Sequence, residues 1–325
     1  MTKSTAAKAA LSVLLLLILC WRTDVAAIAA VLQRLSYPEW LLAFVLFITA
    51  AGIAAVKWKL LLPEQPLATL LKLNFIAQFY SLLLPGQIAG EAVKAYRLGK
   101  GRADAERIAA SVALDRLTGL VGLILVSLAG LSVSSVPGRS HILLNLSLIT
   151  GLLVATLFVF QSRLWIRLLV RLEQRGPRCR RLAAQLHNVL RAWRSYAGRP
   201  FVLVGSIAVG AVFQLIAVLI NYRIGYALGV AVPFADWCWI FGIVSIAVVL
   251  PFTIGGIGLR EGSFAGALAL VGIGPDRAIA ISFAIFSLLL SSALVGAALE
   301  WTRTGNLAKA TPPSDSGSVK LAENG

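Results

Sequence analysis

Charge is what this sequence has least of. Asp, Glu, Lys and Arg make up 14% of its 325 residues, against about 25% in a soluble domain. With 58% of residues hydrophobic, the surface of an ordinary soluble domain is excluded. Histidine occurs twice, as His141 and His187, and neither has a Cys, His or carboxylate partner at a zinc-ligand spacing. No metal site and no cofactor are expected. The three cysteines, Cys20, Cys179 and Cys238, are scattered and odd in number, so no disulfide framework is indicated. There is no Ser-His-Asp spacing and no nucleophile elbow, and no catalytic residue is assigned. The Gly-Gly-Ile-Gly run at 255–258 lacks the lysine and serine of a P-loop.

Long apolar stretches are what the chain has instead. Mean hydropathy is +0.85, and several segments reach the roughly 20 apolar residues that cross a bilayer core. The expectation is an all-α polytopic membrane protein with about six full spans, near 9–31, 38–58, 108–132, 141–161, 200–222 and 277–301. Two further apolar regions, 67–93 and 236–272, are interrupted by proline and glycine. Lys3 and Lys8 precede LSVLLLLILCW, which reads as an uncleaved first span; the alternative is a signal peptide ending near Ala27-Ile28-Ala29. Residues 1–303 are expected to form the membrane domain. The Pro-, Ser- and Gly-rich segment 304–325 is expected to be a disordered tail.

The formal net charge of +16 sits mostly between apolar segments, as in cytoplasmic loops of membrane proteins. No nucleic-acid partner is implied. Lys57 and Lys59 follow the second span, and Lys94, Arg97, Lys100, Arg102 and Arg107 follow the first broken region. Residues 163–199 hold ten arginines and one acid, Glu173, whereas 133–140 and 223–235 hold one arginine each. Putting the basic stretches inside places both termini in the cytoplasm. Lys59 and Lys94 then share a side, so 67–93 enters and returns there, and 236–272 does the same from the opposite side. Two oppositely oriented re-entrant hairpins are predicted. In the 163–199 segment Arg163, Arg167 and Arg171 recur every four residues with Leu164, Leu168 and Leu172 one position behind. This basic cytoplasmic amphipathic segment is expected to lie on the membrane surface as an anchor, or to gather anionic head groups.

The two broken regions resemble each other. Residues 84–94 read LPGQIAGEAVK and residues 250–260 read LPFTIGGIGLR. Each has Leu-Pro, an Ile three residues after the proline, a small residue and Gly, and a base nine after the proline. Pro85 with Gly86 and Gly90 in one, and Pro251 with Gly255 and Gly256 in the other, break the helix and free backbone groups. Irregular backbone survives in a bilayer only when covered by protein or lining a wet cavity, and broken helices in inverted repeats recur as transporter sites. The freed N–H groups suit a phosphate or carboxylate, and Lys94 and Arg260 add full charges. Alternatively, Glu91 and Glu261 are themselves the anions that these helix starts accept.

A third charged point lies in VALDRLTG at 112–119, where Asp115 and Arg116 fall inside a span. Each costs about 2.5–3.5 kcal/mol on insertion scales, so function is the default reading. Adjacent helical residues diverge by about 100° and pair poorly. Asp115 is therefore expected to meet Lys94 or Arg260, and Arg116 to meet Glu91 or Glu261, either as a substrate site or as a structural network.

The stretches FYSLLLPGQIAGEAVKAYRL (79–98), SVALDRLTGL (111–120) and LPFTIGGIGLREGSF (250–264) carry a resemblance over roughly residues 10–300. They resemble the transmembrane, flippase-like domain of the lysylphosphatidylglycerol synthase family. That domain is associated with moving an aminoacylated phospholipid between leaflets. The resemblance implies a lipid path formed by Pro85, Gly86, Gly90, Glu91, Lys94, Arg97, Asp115, Arg116, Gly255, Gly256, Arg260 and Glu261. It also implies a stand-alone member without the soluble aminoacyl-transferase domain, handling a different lipid. The function expected is a lipid translocase for a phosphate-bearing or otherwise polar head group, partnered by membrane lipids and by lipid-synthesis enzymes. The alternatives are an intramembrane lipid-modifying transferase using Asp115, Glu91 or Glu261 as base, and a non-transporting scaffold of a lipid-synthesis complex.

Overall fold

Prolines and glycines punctuate the chain into helices. In the computed structural model, residues 25–84, 88–144, 147–148, 151, 196, 199–249, 253 and 255–310 are described. Nine principal helices lie among them: α1 Val25–Leu32, α2 Tyr37–Leu61, α3 Leu67–Leu83, α4 Ile88–Gly99, α5 Ala105–Val133, α6 Pro200–Ala227, α7 Phe234–Val249, α8 Leu259–Ala269 and α9 Pro275–Ala310. α2 and α6 carry proline in their first turn, where its missing N–H costs nothing. Gly229, just past α6, takes φ +79°, the left-handed turn that ends a helix.

α2, α5, α6 and the Pro275–Trp301 part of α9 are long and apolar enough to cross a membrane. The expected spans 38–58, 108–132, 200–222 and 277–301 fall inside these four. The expected spans 9–31 and 141–161 lie largely outside the described residues, as do most of segment 163–199, Pro85, Gly86, Pro251 and the chain after 310. α9 runs on to Ala310, past the 303/304 boundary expected for a disordered tail. The first helix-stopping residues there are Pro312 and Pro313.

The two interrupted regions each form a helix, a break and a second helix. α3 has 17 residues and α7 has 16, about 25 Å at 1.5 Å per residue, which is short of a core of about 30 Å. α4 turns back along α3: a Cβ added at Gly90 would lie 2.4 Å from the Ala77 carbonyl oxygen, and Lys94 Nζ reaches Asn74 Oδ1 at 3.3 Å. α8 likewise packs against α7.

Neighbour relations repeat between α2–α5 and α6–α9. α2 lies on α3 as α6 lies on α7, and α4 lies on α5 as α8 lies on α9. The two units meet through α2 against α6, α5 against α7 and α9 against α3. Thus α5 and α9 each touch one arm of both hairpins.

Small residues permit these close approaches. A Cβ on Gly296 of α9 would lie 2.1 Å from the Phe75 carbonyl oxygen of α3. Gly52 of α2 has open space. Gly296→Ala is therefore expected to lower stability by about 1–3 kcal/mol through overpacking. Gly52→Ala should change it by less than about 1 kcal/mol. Thermal unfolding of both purified variants in detergent checks this, and equal losses would show that the α3–α9 contact is not tight.

Candidate functional site

The second break is built from glycines that no other residue replaces without strain. Gly255, Gly256 and Gly258 take φ of +62°, +76° and +83°, the left-handed region that disfavours a Cβ. A Cβ at Gly255 would sit 3.5 Å from the Leu82 carbonyl oxygen at the end of α3, so this break lies beside the first hairpin. α8 then starts with two buried, oppositely charged residues. Glu261 accepts the Gly258 N–H at 2.6 Å and the Ser282 hydroxyl of α9 at 2.8 Å. Both oxygens are occupied, one as the helix cap, and the backbone donor expected to await an anion there is already taken.

Arg260 is 5% exposed. Its Nη2 donates to the Gly255 carbonyl at 3.2 Å, and its guanidinium stands 5.7 Å from the Phe286 ring centroid. Nη1 is buried without a hydrogen-bond partner. Among the described residues no carboxylate forms an ion pair with Arg260.

The first hairpin presents the opposite situation. Lys94 Nζ lies 2.7 Å from Glu91, one turn earlier, and 3.9 Å from Asp115 Oδ2 on α5. It also stands 4.9 Å from the centroid of the Trp58 ring. Asp115 meets a second base: Lys57 Nζ is 3.1 Å from Oδ1 and donates to the Asp115 carbonyl at 2.6 Å. The expected contact of Asp115 with Lys94 is present, and Lys57 joins it. The sequence reading grouped Lys57 with the loop charges that orient the chain. It lies inside α2 and is 6% exposed, because the Asp115 carboxylate and carbonyl replace the water it loses.

These groups line one cavity of about 380 Å³ between the hairpins, α2, α5, α6 and α9. Its charged walls are Lys57, Glu91, Lys94, Asp115, Arg116 and Arg260, and its polar walls include Asn74, Gln214 and Asn221. Phe47, Phe213, Phe241 and Phe264 form apolar wall. Of the other expected site residues, Gly255 lines the cavity, while Gly90, Arg97, Gly256 and Glu261 stand outside its wall. Arg97 instead pairs with Glu300 near the end of α9, Nη2 to Oε1 at 2.6 Å with a second contact through Nη1, and bonds Tyr80 at 3.1 Å. It ties the two hairpin arms to α9. Gln214 and Asn221 were missed by sequence reasoning, although polar side chains inside an otherwise apolar span are a recognisable signal.

A helical chain with four membrane-length helices among its described residues and a charged, partly open cavity between two interrupted hairpins is a multi-pass membrane protein. The chain belongs to the lysylphosphatidylglycerol synthase TM region family, whose profile matches residues 5–296. No curated protein and no solved structure matches it.

Removing Lys57 alone leaves Asp115 buried with one distant base. Lys57→Met is expected to destabilise the protein by about 3–5 kcal/mol, and Lys57→Met with Asp115→Asn to recover much of that. The exposed Lys59→Met should cost less than about 0.5 kcal/mol. A thermal-unfolding double-mutant cycle decides, and strictly additive losses would deny the pair.

Proposed function

We propose that the protein is a membrane lipid translocase that carries a phosphate-bearing head group between leaflets through the cavity between its hairpins. The reading is carried by Arg260, a cation buried in the cavity wall whose Nη1 has no hydrogen-bond partner and which no described carboxylate pairs. A buried unpaired charge is costly, and a lipid phosphate entering the cavity removes that cost. Guanidinium is the side chain best matched to phosphate oxygens. The apolar stretches of wall suit the first carbons of the tails, while the rest of the acyl chains stay in the bilayer.

In this reading the two hairpins are re-entrant and oppositely oriented. They rock against each other, so that the cavity faces one leaflet and then the other. Their packing on shared helices, α5 and α9, supports such a movement of one repeat against its partner. Membership of a family named for a phospholipid synthase supports a lipid as the cargo. A lipid-modifying transferase would need a carboxylate poised to take a proton. Glu261 is held as a helix cap, and Glu91 and Asp115 are each held by lysine.

The test uses proteoliposomes containing a fluorescent anionic phospholipid, with the outer-leaflet label quenched chemically. The protein should equilibrate the label between leaflets. Arg260→Gln should slow it about tenfold or more while keeping wild-type helix content and thermal stability. An inactive wild type, or an Arg260→Gln variant at full rate, would overturn the translocase. A new lipid species in the extract would replace it with a transferase.

A further inference from the structure

The two halves of the chain keep one spacing throughout. α2 ends at Leu61 and α6 at Ala227, and α3 ends at Leu83 and α7 at Val249. Each pair of ends lies 166 residues apart, as do Pro85 with Pro251 and Lys94 with Arg260. Contacts between the halves repeat accordingly. α5 against α7 mirrors α9 against α3, and the two are alike. α5 against α6 mirrors α9 against α2, and here the likeness fails: α5 lies along α6, whereas α9 meets α2 only lightly.

The side chains at these two seams give the reason. On the α5–α6 seam a Cβ at Gly122 would lie 2.8 Å from the Ala211 nitrogen, so the backbones approach closely. The Thr118 and Ser206 hydroxyls bond at 3.0 Å, and Gln214 Nε2 donates to the Gly119 carbonyl at 3.2 Å. At the corresponding places on the other seam, Trp40 and Phe44 stand for Ser206 and Gly210, and Leu288 for Gly122. Trp40 stacks on Phe44 and donates to Ser287 of α9 at 2.8 Å, so bulky side chains space α2 from α9.

Lys57 straps the first seam alone. Its stem passes Gly210 of α6, where an added Cβ would lie 3.5 Å from Cδ, and its ammonium reaches the Asp115 carbonyl and carboxylate of α5. α2 packs on α6, so the pair cannot leave α5 unless Lys57 releases Asp115. Arg223 stands 166 residues after Lys57, but its Nη2 donates to both Glu39 oxygens of α2, at 2.7 and 2.9 Å. Ile281 takes the place of Asp115. Both seams are cavity wall: Gly119 and Gln214 line it at one, Phe47 and Leu288 at the other.

We infer that the two seams are the lateral gates of the cavity, one toward each leaflet, and that this conformation holds the α5–α6 gate shut with Lys57 as its latch. Trp40 and Lys57 lie toward opposite ends of α2, so the seams serve opposite sides. Inverted repeats that rock against each other open one such seam as the other closes. The inference rests on the translocase reading for what passes through. Parting of the seam is nevertheless a motion that can be measured with no lipid moving.

The experiments use full-length protein with Cys20, Cys179 and Cys238 changed to alanine, and record the thermal stability of every variant. The Thr118 and Ser206 oxygens are close enough for Thr118→Cys with Ser206→Cys to form a disulfide. In the vesicle assay the oxidised protein should move the label about tenfold or more slowly than the same protein after reduction. Full-rate movement by completely cross-linked protein would overturn the gate. The second measurement follows alkylation of Ser206→Cys by N-ethylmaleimide in detergent, with Ser127→Cys at the α5–α7 contact as control. Both serines are fully buried. Releasing the latch with Lys57→Met and Asp115→Asn together should speed alkylation of Ser206→Cys about tenfold and leave Ser127→Cys unchanged. An unchanged rate at Ser206→Cys, or an equal rise at both, would overturn the latch.

Failure of the underlying reading looks different. Reduced protein that moves no lipid, with the alkylation contrast intact, sinks the translocase and leaves the latched seam standing. Lipid movement that ignores both the disulfide and the latch sinks the gates and leaves the translocase.

Discussion

A helix interrupted inside a bilayer leaves backbone groups that lipid cannot satisfy, and each one left bare costs several kcal/mol. This constraint accounts for how the other helices are arranged. α3 and α7 are too short to cross alone, and the described glycines of the second break, with the start of α8, are held by protein. Gly255 lies against the end of α3, Glu261 closes the start of α8, and Ser282 of α9 supports Glu261. α5 and α9 each bridge the two hairpins, and glycines such as Gly90 and Gly296 allow the backbones to approach.

Once the breaks are covered, the space between them is where ionisable groups can be kept. Lys57, Lys94 and Asp115 are tolerable because each answers another, with Glu91 and the Asp115 carbonyl completing the set. Such a network contributes little net stability relative to an apolar core, but removing one member strands its partner. Arg260 differs in having no ion-pair partner among the described residues. It is held by one carbonyl and one aromatic face, and its remaining donor is unanswered.

Much of this was legible in the chain. Composition defined a polytopic helical membrane protein, and proline and glycine marked where α3 and α7 end. The Leu-Pro repeat paired Lys94 with Arg260, and the motifs 79–98, 111–120 and 250–264 marked the family. Contacts were legible less evenly. Asp115 with Lys94 could be anticipated because a buried acid needs a base. Glu261 could be read either as lipid ligand or as helix cap, because a glutamate three residues after Gly258 fits both roles.

What the sequence determined by itself is set by local rules: hydrophobic length, helix breaking and charge asymmetry need only neighbours in the chain. What the tertiary structure decided is which polar groups answer each other at sequence separations of 58 or 21, as Lys57 with Asp115 and Glu261 with Ser282 do. Lys57 looked like a loop charge because its partner sits on another helix. Arg260 looked like the equal of Lys94 because only the packing of α9 shows that no acid faces it there. Burial converts such differences into energy, and burial is a property of the assembled helices.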